Sequence, residues 1–248
     1  MYRITRTELS ARHAGSLLGA AWVFVGPLLI LAIYGVVYTQ IFRFQPPGLT
    51  QQAYVLYIFA GLVPFLSTAE SLNVAVGSVA ASKAVITNTV FPIDLIPVKA
   101  VLMSLGTMLV GLVTVLVGSA ATGELAATAP LLVPLVALHY LALIGVAWVI
   151  SLLNVVMRDM QNLIAALLLV LLIASPIAYT PEMVPSTLQP LLDANPFSYY
   201  VRAYQDVLVL GEIPSVGVLA GVLLSTAVMF CAGSWLFHRA RRVIVDYV

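Results

Sequence analysis

Residues 154–179 read NVVMRDMQNLIAALLLVLLIASPIAY, and this stretch decides the fold because it passes through two changes of solvent. The Arg158–Asp159 pair near its start requires water, whereas residues 163–174 contain no side chain that does. A proline at position 176 then breaks the helix that the apolar run forms. The stretch therefore predicts that the chain enters a membrane beside the charged pair and leaves it near Tyr179.

The composition is that of an integral membrane protein. Hydrophobic residues make up 62% of the 248 and charged residues 8%, with a mean hydropathy of +1.07, whereas soluble domains carry about 25% charge. The net charge of +1 does not indicate a nucleic-acid partner. One cysteine and three scattered histidines predict neither a disulfide framework nor a metal site, so we expect no cofactor on this chain.

Six segments are long and apolar enough to cross a bilayer, which takes about 20 helical residues. Backbone groups in lipid must pair within their own segment, so we predict an all-α membrane protein with six transmembrane helices in one domain, residues 1–248. The first segment is interpreted as a permanent span, because it is longer than a signal-peptide core and lacks a clear cleavage site. The predicted spans are residues 21–42, 53–77, 98–119, 131–155, 163–179 and 216–237.

Basic residues predict how these helices are oriented. With a cytoplasmic N-terminus, nine of the eleven lysines and arginines fall on the cytoplasmic side, and only Arg43 and Arg202 fall outside. This asymmetry favours cytoplasmic positions for both termini and an even number of spans. For the basic residues 1–20, an interfacial helix on anionic lipid and a frayed tail both stay open. Residues 81–97 form a cytoplasmic segment and residues 180–214 an outer one.

Glu70 is the one carboxylate well inside a predicted span, and Ser67 and Ser71 share its helical stripe. An ionisable group in lipid usually faces a cavity or a partner. One interpretation is a polar wall along a permeation path. The other is a glutamate that is protonated, or bonded between helices, and that stabilises the bundle.

Two further patterns concern contacts made by the helices. Tyr34 and Tyr38 lie one turn apart and closer to the hydrophobic middle than interfacial aromatics do, and their faces and hydroxyls suit a sugar ring. Small residues recur on one face of the third span and at four-residue spacing on the sixth, which predicts close helix contacts. These residues are Thr107, Gly111, Thr114 and Gly118 on the third span, and Gly217, Gly221 and Ser225 on the sixth.

The sequence contains no phosphate-binding loop, no dinucleotide fingerprint, no nucleophile elbow and no zinc-protease motif. With one buried acid and no matching pair of interrupted helices, coupling to an ion gradient has little basis either. If the bundle pumps, its energy must come from another subunit.

Short motifs occur in a characteristic order over nearly the whole chain: Gly61-Leu-Val-Pro-Phe65, Phe91-Pro92 with Pro97, Arg158-Asp159, Ser175-Pro-Ile-Ala-Tyr179 and Asn195-Pro-Phe197. Together they resemble the membrane subunit of ABC-2 type polysaccharide exporters, which move O-antigen, capsule or teichoic acid chains. The resemblance implies a homodimer in a bacterial inner membrane with a continuous channel between the two copies. Two copies of a separate nucleotide-binding ATPase, which holds ATP and magnesium, would drive it.

The resemblance also implies three groups of functional residues. The outer segment would return into the membrane as short re-entrant helices that help form a gate, and the cytoplasmic segment would contain a helix that docks on the ATPase. For the cytoplasmic segment, a tethered interfacial loop without a partner is the alternative. Channel candidates are Tyr34, Tyr38, Tyr57, Phe65, Ser67, Glu70 and Ser71; coupling candidates are Lys83, Asn88, Phe91, Pro92 and Asp94; outer-gate candidates are Tyr179, Asn195, Pro196, Phe197 and Tyr199.

The resemblance thus predicts a transport subunit that exports a lipid-linked cell-surface polysaccharide and is not itself an enzyme. One alternative is an exporter of a small molecule or lipid from the same family. Another is a membrane-embedded enzyme acting on a lipid-linked sugar, with Glu70 as its acid or base. Such an enzyme needs paired polar residues near one interface, and the sequence offers only scattered serines and threonines.

Overall fold

The structure is a computed structural model that describes residues 21–41, 48–83, 92–123 and 126–247. Within these residues all regular secondary structure is helical and no strand occurs. The segment expected to form an interfacial helix, residues 1–20, lies outside the described residues, and so do Asn88 and Phe91 of the coupling segment.

Nine α-helices follow one another along the part of the chain that the structure describes. They are α1 (Trp22–Val36), α2 (Gln51–Ala81), α3 (Leu95–Met103), α4 (Leu105–Ala121), α5 (Leu132–Val156), α6 (Met160–Ala174), α7 (Gln189–Ala194), α8 (Pro196–Gln205) and α9 (Val216–Tyr247). Two π-helical segments, Val37–Ile41 and Asp206–Leu210, extend α1 and α8, and short 3-10 turns lie at Ala129–Leu131 and Pro181–Met183.

Within the described ranges, five helical segments are long and apolar enough to cross a membrane, which confirms the predicted multi-pass membrane protein. They match five of the six predicted spans, although the third is interrupted at Ser104, where α3 ends and α4 begins. The five segments are Phe24–Ile41, Gln51–Ala81, Leu95–Ala121, Ala129–Val156 and Val216–Ala240.

The remaining predicted span, residues 163–179, differs from the expectation. Helix α6 has 15 residues and ends at Ala174, so it is about 22 Å long, shorter than a hydrocarbon core of about 30 Å. The prediction of a helix through residue 179 is wrong, because Ser175 is extended (φ −97°, ψ 145°). The following proline disfavours helical backbone at this position.

Helix α2 lies at the centre of the bundle and contacts α1, α3, α4, α5, α6 and α8. The Thr50 hydroxyl caps its start by accepting a hydrogen bond from the Ala53 N–H at 3.1 Å. With 31 residues, α2 is about 46 Å long and passes through the whole thickness of the bundle. These six helices therefore surround α2 and bury most of it inside the protomer.

Helices α5 and α9 pack backbone against backbone. A Cβ atom placed on Gly145 would collide with the Met229 carbonyl group, and one placed on Gly233 would collide with the carbonyl of Gly145. Because lipid provides no hydrophobic drive for helix association, such close contact supplies the attraction by packing. This pair of glycines fixes the position of the last helix on the bundle.

The two ends of the bundle are distinct. At one end Val79, Ile96, Leu152 and Phe237 pack together. At the other end the Tyr54 hydroxyl donates a hydrogen bond to the Ala178 carbonyl at 2.8 Å. Val79, Leu152 and Phe237 come shortly before basic segments that were predicted to share the cytoplasmic side. The helix ends that precede these segments therefore lie together.

The α6 segment reaches from one of these ends to the other. Near the start of α6, Gln161 packs against Gly77 of α2. Its amide nitrogen lies 3.2 Å from the position that a Cβ atom on Gly77 would occupy. Near its end, Ala178 accepts a hydrogen bond from Tyr54 of α2. These two positions on α2 are about 35 Å apart along the helix axis, so α6 and its non-helical continuation together span the bundle.

Candidate functional site

Residues 175–180 leave the helix but stay inside the protein. Ser175 is 1% exposed and Ile177 is 3% exposed. Buried peptide groups outside regular structure need other hydrogen-bond partners, and irregular backbone at membrane depth is tolerated only where protein surrounds it. The interrupted segment, residues 175–180, therefore depends on side chains that bond its carbonyl groups.

Gln205, at the end of α8, supplies the main partner. Its Nε2 lies 3.0 Å from the Pro176 carbonyl oxygen and 3.1 Å from that of Ile177, with the Tyr57 carbonyl at 3.4 Å. The side chain is 1% exposed. Since an amide has two N–H groups, it serves two of these three acceptors at a time. A buried carbonyl left without a donor costs about 1–3 kcal/mol, so one side chain carries a large part of this segment's stability.

Asn195 ties the start of α8 to the end of α6. Its Nδ2 donates to the Ser175 hydroxyl at 2.9 Å, and its Oδ1 accepts a hydrogen bond from the Phe197 N–H at 3.0 Å. The second contact is a helix N-cap, and Pro196 occupies the first helical position, where its missing N–H costs nothing. The predicted gate residues Asn195, Pro196 and Phe197 thus form one structural unit.

The other gate candidates differ in burial. The Phe197 ring is buried and meets Phe65 of α2 edge to face, with ring centroids 6.0 Å apart. Tyr199 lies over Gly221 of α9, and its hydroxyl donates to the Asp193 carbonyl at 2.7 Å. Tyr179 is half-buried and donates to the Ile173 carbonyl at 3.4 Å.

A hydroxyl network joins α2 to α4 and α5. The Tyr140 hydroxyl lies 2.6 Å from the Ser67 hydroxyl and 3.0 Å from that of Ser104. Ser71 in turn lies 2.7 Å from Ser104. The interruption between α3 and α4 therefore coincides with the residue on which these hydrogen bonds converge.

A second polar group surrounds His139 of α5. Its Nε2 lies 2.9 Å from the Thr68 hydroxyl, and its Nδ1 lies 3.4 Å from that of Tyr204. The imidazole stacks on Tyr200, with centroids 4.8 Å apart, and the Tyr200 hydroxyl lies 2.6 Å from Thr226 of α9. Together the two groups connect α8 to three long helices, so the outer segment is fixed to the core by polar contacts.

Removal of the Tyr140 hydroxyl tests whether the hydroxyl network of Tyr140, Ser67 and Ser104 stabilises the bundle. We expect Tyr140→Phe to lower the free energy of unfolding by about 1 kcal/mol, because Ser67 and Ser104 lose a buried partner while the packing is kept. This corresponds to a fall of roughly 2–4 °C in the thermal midpoint of the purified protein. Tyr179→Phe is the matched control and should change the midpoint less, since its bond is longer and partly exposed. Equal shifts in the two variants would contradict a role for the network.

The predicted channel residues occupy two environments. Tyr57, Phe65, Ser67 and Ser71 are buried within the protomer, between α2 and its neighbours. Tyr34 and Tyr38 are half-buried on α1 and its π-helical extension, stacked with centroids 6.1 Å apart. The second set is thus partly exposed at the surface of the protomer, and the lining of a channel stays a prediction.

Glu70 is partly buried, and its carboxylate accepts a hydrogen bond from the Thr107 hydroxyl of α4. This contact between helices fits the interpretation in which the glutamate stabilises the bundle. No group of three or more metal-ligating side chains lies close together anywhere in the described ranges.

The described coupling candidates lie at the end of the bundle opposite the interrupted segment. Lys83 follows the end of α2, and Pro92 precedes α3, where its carbonyl accepts a hydrogen bond from the Leu95 N–H at 3.1 Å. The Asp94 carbonyl accepts a hydrogen bond from the indole N–H of Trp148 at 3.0 Å. The start of α3 is thereby held against α5.

Two cavities border the interrupted segment. An apolar groove of about 700 Å³ is lined by residues that include Tyr38, Tyr54 and Tyr179. A second, polar cavity of about 440 Å³ has walls that include Thr180, Pro181 and residues at the end of α8. The polar cavity contains the charged side chains of Glu182, Arg202, Asp206 and Glu212.

Burial raises the pKa of Asp206 from its ordinary value of 3.8 to about 6. The neighbouring Arg202 opposes this shift, while Glu212 and Glu182 add to it. The folded protein thus binds this proton more tightly than the unfolded chain does. Stability contributed by the protonated carboxyl group is present at low pH and is lost as pH rises from about 4 to about 6.

We therefore expect the thermal midpoint to be higher at pH 5 than at pH 7.5. Asp206→Asn should raise the midpoint at pH 7.5 and reduce the difference between the two conditions, because the amide carries no charge at either pH. Asp193→Asn, at an exposed acid of the same outer segment, should leave the difference unchanged. If the thermal midpoint of the Asp206→Asn protein differed between pH 5 and pH 7.5 as much as in the wild type, another group would be responsible for the pH dependence.

Several residues that build this site were not singled out by sequence reasoning. Gln205, Ser104, His139 and Tyr140 act through partners that lie 28 or more residues away in sequence. The available signals were weak: a histidine and a tyrosine adjacent in an apolar span, and tyrosines at positions 200 and 204 on one face of α8.

A bundle of long apolar helices, with an interrupted helix and short helices packed into one end, defines a multi-pass membrane protein. Comparison with known proteins gives the family. The model of the ABC-2 type transporter family matches residues 1–209. The chain belongs to this family, which confirms the predicted resemblance and makes it a transport subunit rather than an enzyme. Membership implies an ABC ATPase as partner.

Curated relatives are similar over most of their length. The chain is 24% identical to the O-antigen export system permease protein RfbA of Myxococcus xanthus over 248 residues, covering 99% of this chain and 94% of that protein. It is 26% identical to an O-antigen export system permease protein RfbA of Klebsiella pneumoniae over 228 residues, covering 90% and 86%. A second RfbA of that organism is 24% identical over 213 residues, covering 85% and 80%.

Proposed function

We propose that this chain is the transmembrane subunit of an ABC transporter that exports O-antigen or a closely related lipid-linked polysaccharide. The observation that carries the proposal is its similarity, nearly from end to end, to permeases named for O-antigen export. The bundle of apolar helices gives such a permease its route through the membrane. Its energy comes from hydrolysis of ATP, which the partner ATPase binds together with magnesium, since this chain has no phosphate-binding loop.

We further propose six crossings of a bacterial inner membrane, with both termini in the cytoplasm. The fifth crossing along the chain is α6 with residues 175–178, which together reach about as far as the hydrocarbon core is thick. Residues 180–214 then form a re-entrant outer segment. The distribution of basic residues supports this orientation. Labels that place residues 239–242 outside the cell would contradict it.

Two copies of the chain form the channel in this proposal. Helices α1 and α6 carry apolar side chains that the rest of the protomer leaves exposed, among them Ile33 and Ile173. The stacked Tyr34 and Tyr38 lie on the same helix as Ile33 and supply aromatic faces to a passing sugar. In a background with Cys231→Ala, the variant Ile33→Cys should form a disulfide cross-link between the two copies. Monomer alone after oxidation would argue against this interface.

The ATPase docks on the segment of residues 81–97 in this proposal. Phe91 is the expected anchor, because a large apolar side chain in a cytoplasmic loop fits a groove on a partner. We expect Phe91→Glu to reduce export at least tenfold while the permease is still produced in the membrane. Phe91→Leu, which keeps an apolar side chain, should retain most of the activity. Normal export by the glutamate variant would contradict this docking position.

Transport in vesicles tests the proposed function directly. The permease and its ATPase are reconstituted with the ATPase facing outward, and labelled lipid-linked O-antigen is supplied on the same side. We expect the label to enter the lumen only with ATP, and not when the ATPase carries a substitution of its phosphate-loop lysine. ATP hydrolysis without movement of the polysaccharide, together with movement of a small lipid, would indicate a lipid exporter instead.

A further inference from the structure

The polar cavity at the outer end of the protomer is built from five separate parts of the chain. Its wall includes Leu49 before α2, Tyr57 in α2, Thr180 at the end of the interrupted segment, Arg202 in α8 and Ser215 before α9. Its volume of about 440 Å³ falls in the range of cavities that hold small ligands, roughly 300–1,000 Å³. All of these residues belong to one copy of the chain.

The chemistry of the wall matches a ligand with several hydroxyl groups. Glu182, Asp206 and Glu212 offer carboxylate acceptors, and Arg202 offers a fork of N–H donors. The hydroxyls of Thr180 and Ser215 act as donors or acceptors. Adjacent hydroxyls on a sugar ring bond to such groups in pairs, whereas an apolar ligand would leave them without partners.

Gln205 gives an independent indication of a ligand. It forms part of the cavity wall, and its Nε2 is committed to the carbonyl groups of the interrupted segment. The Gln205 side chain is only 1% exposed, and its Oε1 is buried without a hydrogen-bond partner in the described structure. Buried polar atoms rarely stay unpaired. A hydroxyl donor that reaches this oxygen from the cavity would satisfy it.

The charges of the cavity restrict the ligand further. Among the described residues of the wall, three carboxylates stand against one guanidinium group, so they would repel an anionic ligand. Carboxylates accept hydrogen bonds from hydroxyl donors. This favours an uncharged sugar over a uronic acid or a sugar phosphate.

We propose that this cavity binds one or two neutral hexose units of the exported polysaccharide at the outer end of each copy. The inference rests on the proposed function, because it assumes that the substrate is a polysaccharide. The site lies within a single protomer and is separate from the passage between two copies. Each exporter dimer would then hold the emerging chain at two such sites.

Binding can be measured on the full chain without its ATPase. Purified permease in lipid nanodiscs is titrated with methyl glucoside and with maltose, and binding is followed by saturation-transfer NMR. We expect saturable binding of the neutral sugars and at least tenfold weaker binding of glucuronate. Glu212→Ala and Asp206→Asn should each weaken maltose binding at least fivefold. Asp193→Ala, at an exposed acid that does not line the cavity, should leave it unchanged.

The possible results separate this inference from the proposed function. Polysaccharide export with no sugar binding, or binding that neither cavity variant weakens, would overturn the site and leave the function intact. Binding weakened equally by Asp193→Ala would also overturn it. Sugar binding at this cavity in a protein that fails to export any polysaccharide would support the site and contradict the proposed function.

Discussion

Gly145→Leu should prevent the last helix from packing on the bundle, and we expect the largest loss of stability from this substitution. A Cβ at this position collides with the backbone of α9, not with the tip of a flexible side chain. Backbone atoms cannot rotate away, so α5 and α9 must separate. We expect a loss of about 3 kcal/mol or more, which lowers the thermal midpoint by roughly 6–12 °C in detergent.

Gly217→Leu is the matched control because it places the same side chain on a glycine of α9. A Cβ at Gly217 meets only the Ser215 hydroxyl, at 4.0 Å. This variant should therefore keep the wild-type midpoint within about 2 °C, since a surface substitution away from buried contacts changes stability little. A Gly145→Leu protein as stable as this control would show that the backbone contact is not required.

Much of the fold could be predicted from hydropathy and length, because a bilayer leaves few structures open to an apolar chain. The break after Ala174 was the exception. A run of aliphatic residues followed by Pro176 marks where a helix must change, but not whether the chain leaves the membrane there. It stays buried because Gln205, about 30 residues later, supplies donors to its carbonyls. No local pattern contains that information.

The small residues illustrate the same limit. Gly111, Gly118 and Gly221 were predicted to make close helix contacts, and they meet Val63, Leu56 and Tyr199 inside the protomer. Gly217 has the same spacing but no close neighbour. The tightest pair, Gly145 with Gly233, was not predicted. Spacing indicates a face, while the contact depends on which helix covers it.

The candidate site was predictable in part. The gate residues Asn195, Pro196 and Phe197 carry a readable signal, since an asparagine before a proline is typical of a helix start. Ser67 and Ser71 were singled out as polar residues in a span, but their partners turned out to be Ser104 and Tyr140 of the same chain. Sequence reveals which groups need partners in lipid. It does not reveal whether a neighbouring helix or a substrate supplies them.

This dependence on distant side chains makes the interrupted segment sensitive to one residue. In a continuous helix each carbonyl has a backbone donor four residues on, so no single side chain is essential. Here the carbonyls of Pro176 and Ile177 share one amide group. Tyr54 and Asn195 bond to the neighbouring residues Ala178 and Ser175, not to these two carbonyls.

Gln205→Leu should therefore uncouple the interrupted segment from α8. Leucine has a similar volume but no N–H group, so two buried carbonyls lose their donor, at about 1–3 kcal/mol each. We expect a loss of about 2–5 kcal/mol in the free energy of unfolding and at least a tenfold loss of polysaccharide export in cells. Hydrogen exchange should rise most strongly in residues 175–180 and α8, because these elements lose their mutual contact.

Gln189→Leu provides the control, since it makes the same substitution in the same outer segment. The Gln189 amide is exposed and donates to the Val184 carbonyl at 3.4 Å, where water can replace it. This variant should retain wild-type stability and export. If Gln205→Leu exported normally and exchanged no faster than Gln189→Leu in residues 175–180, the segment would have to be held by its packing against α2, and the amide would carry no special role.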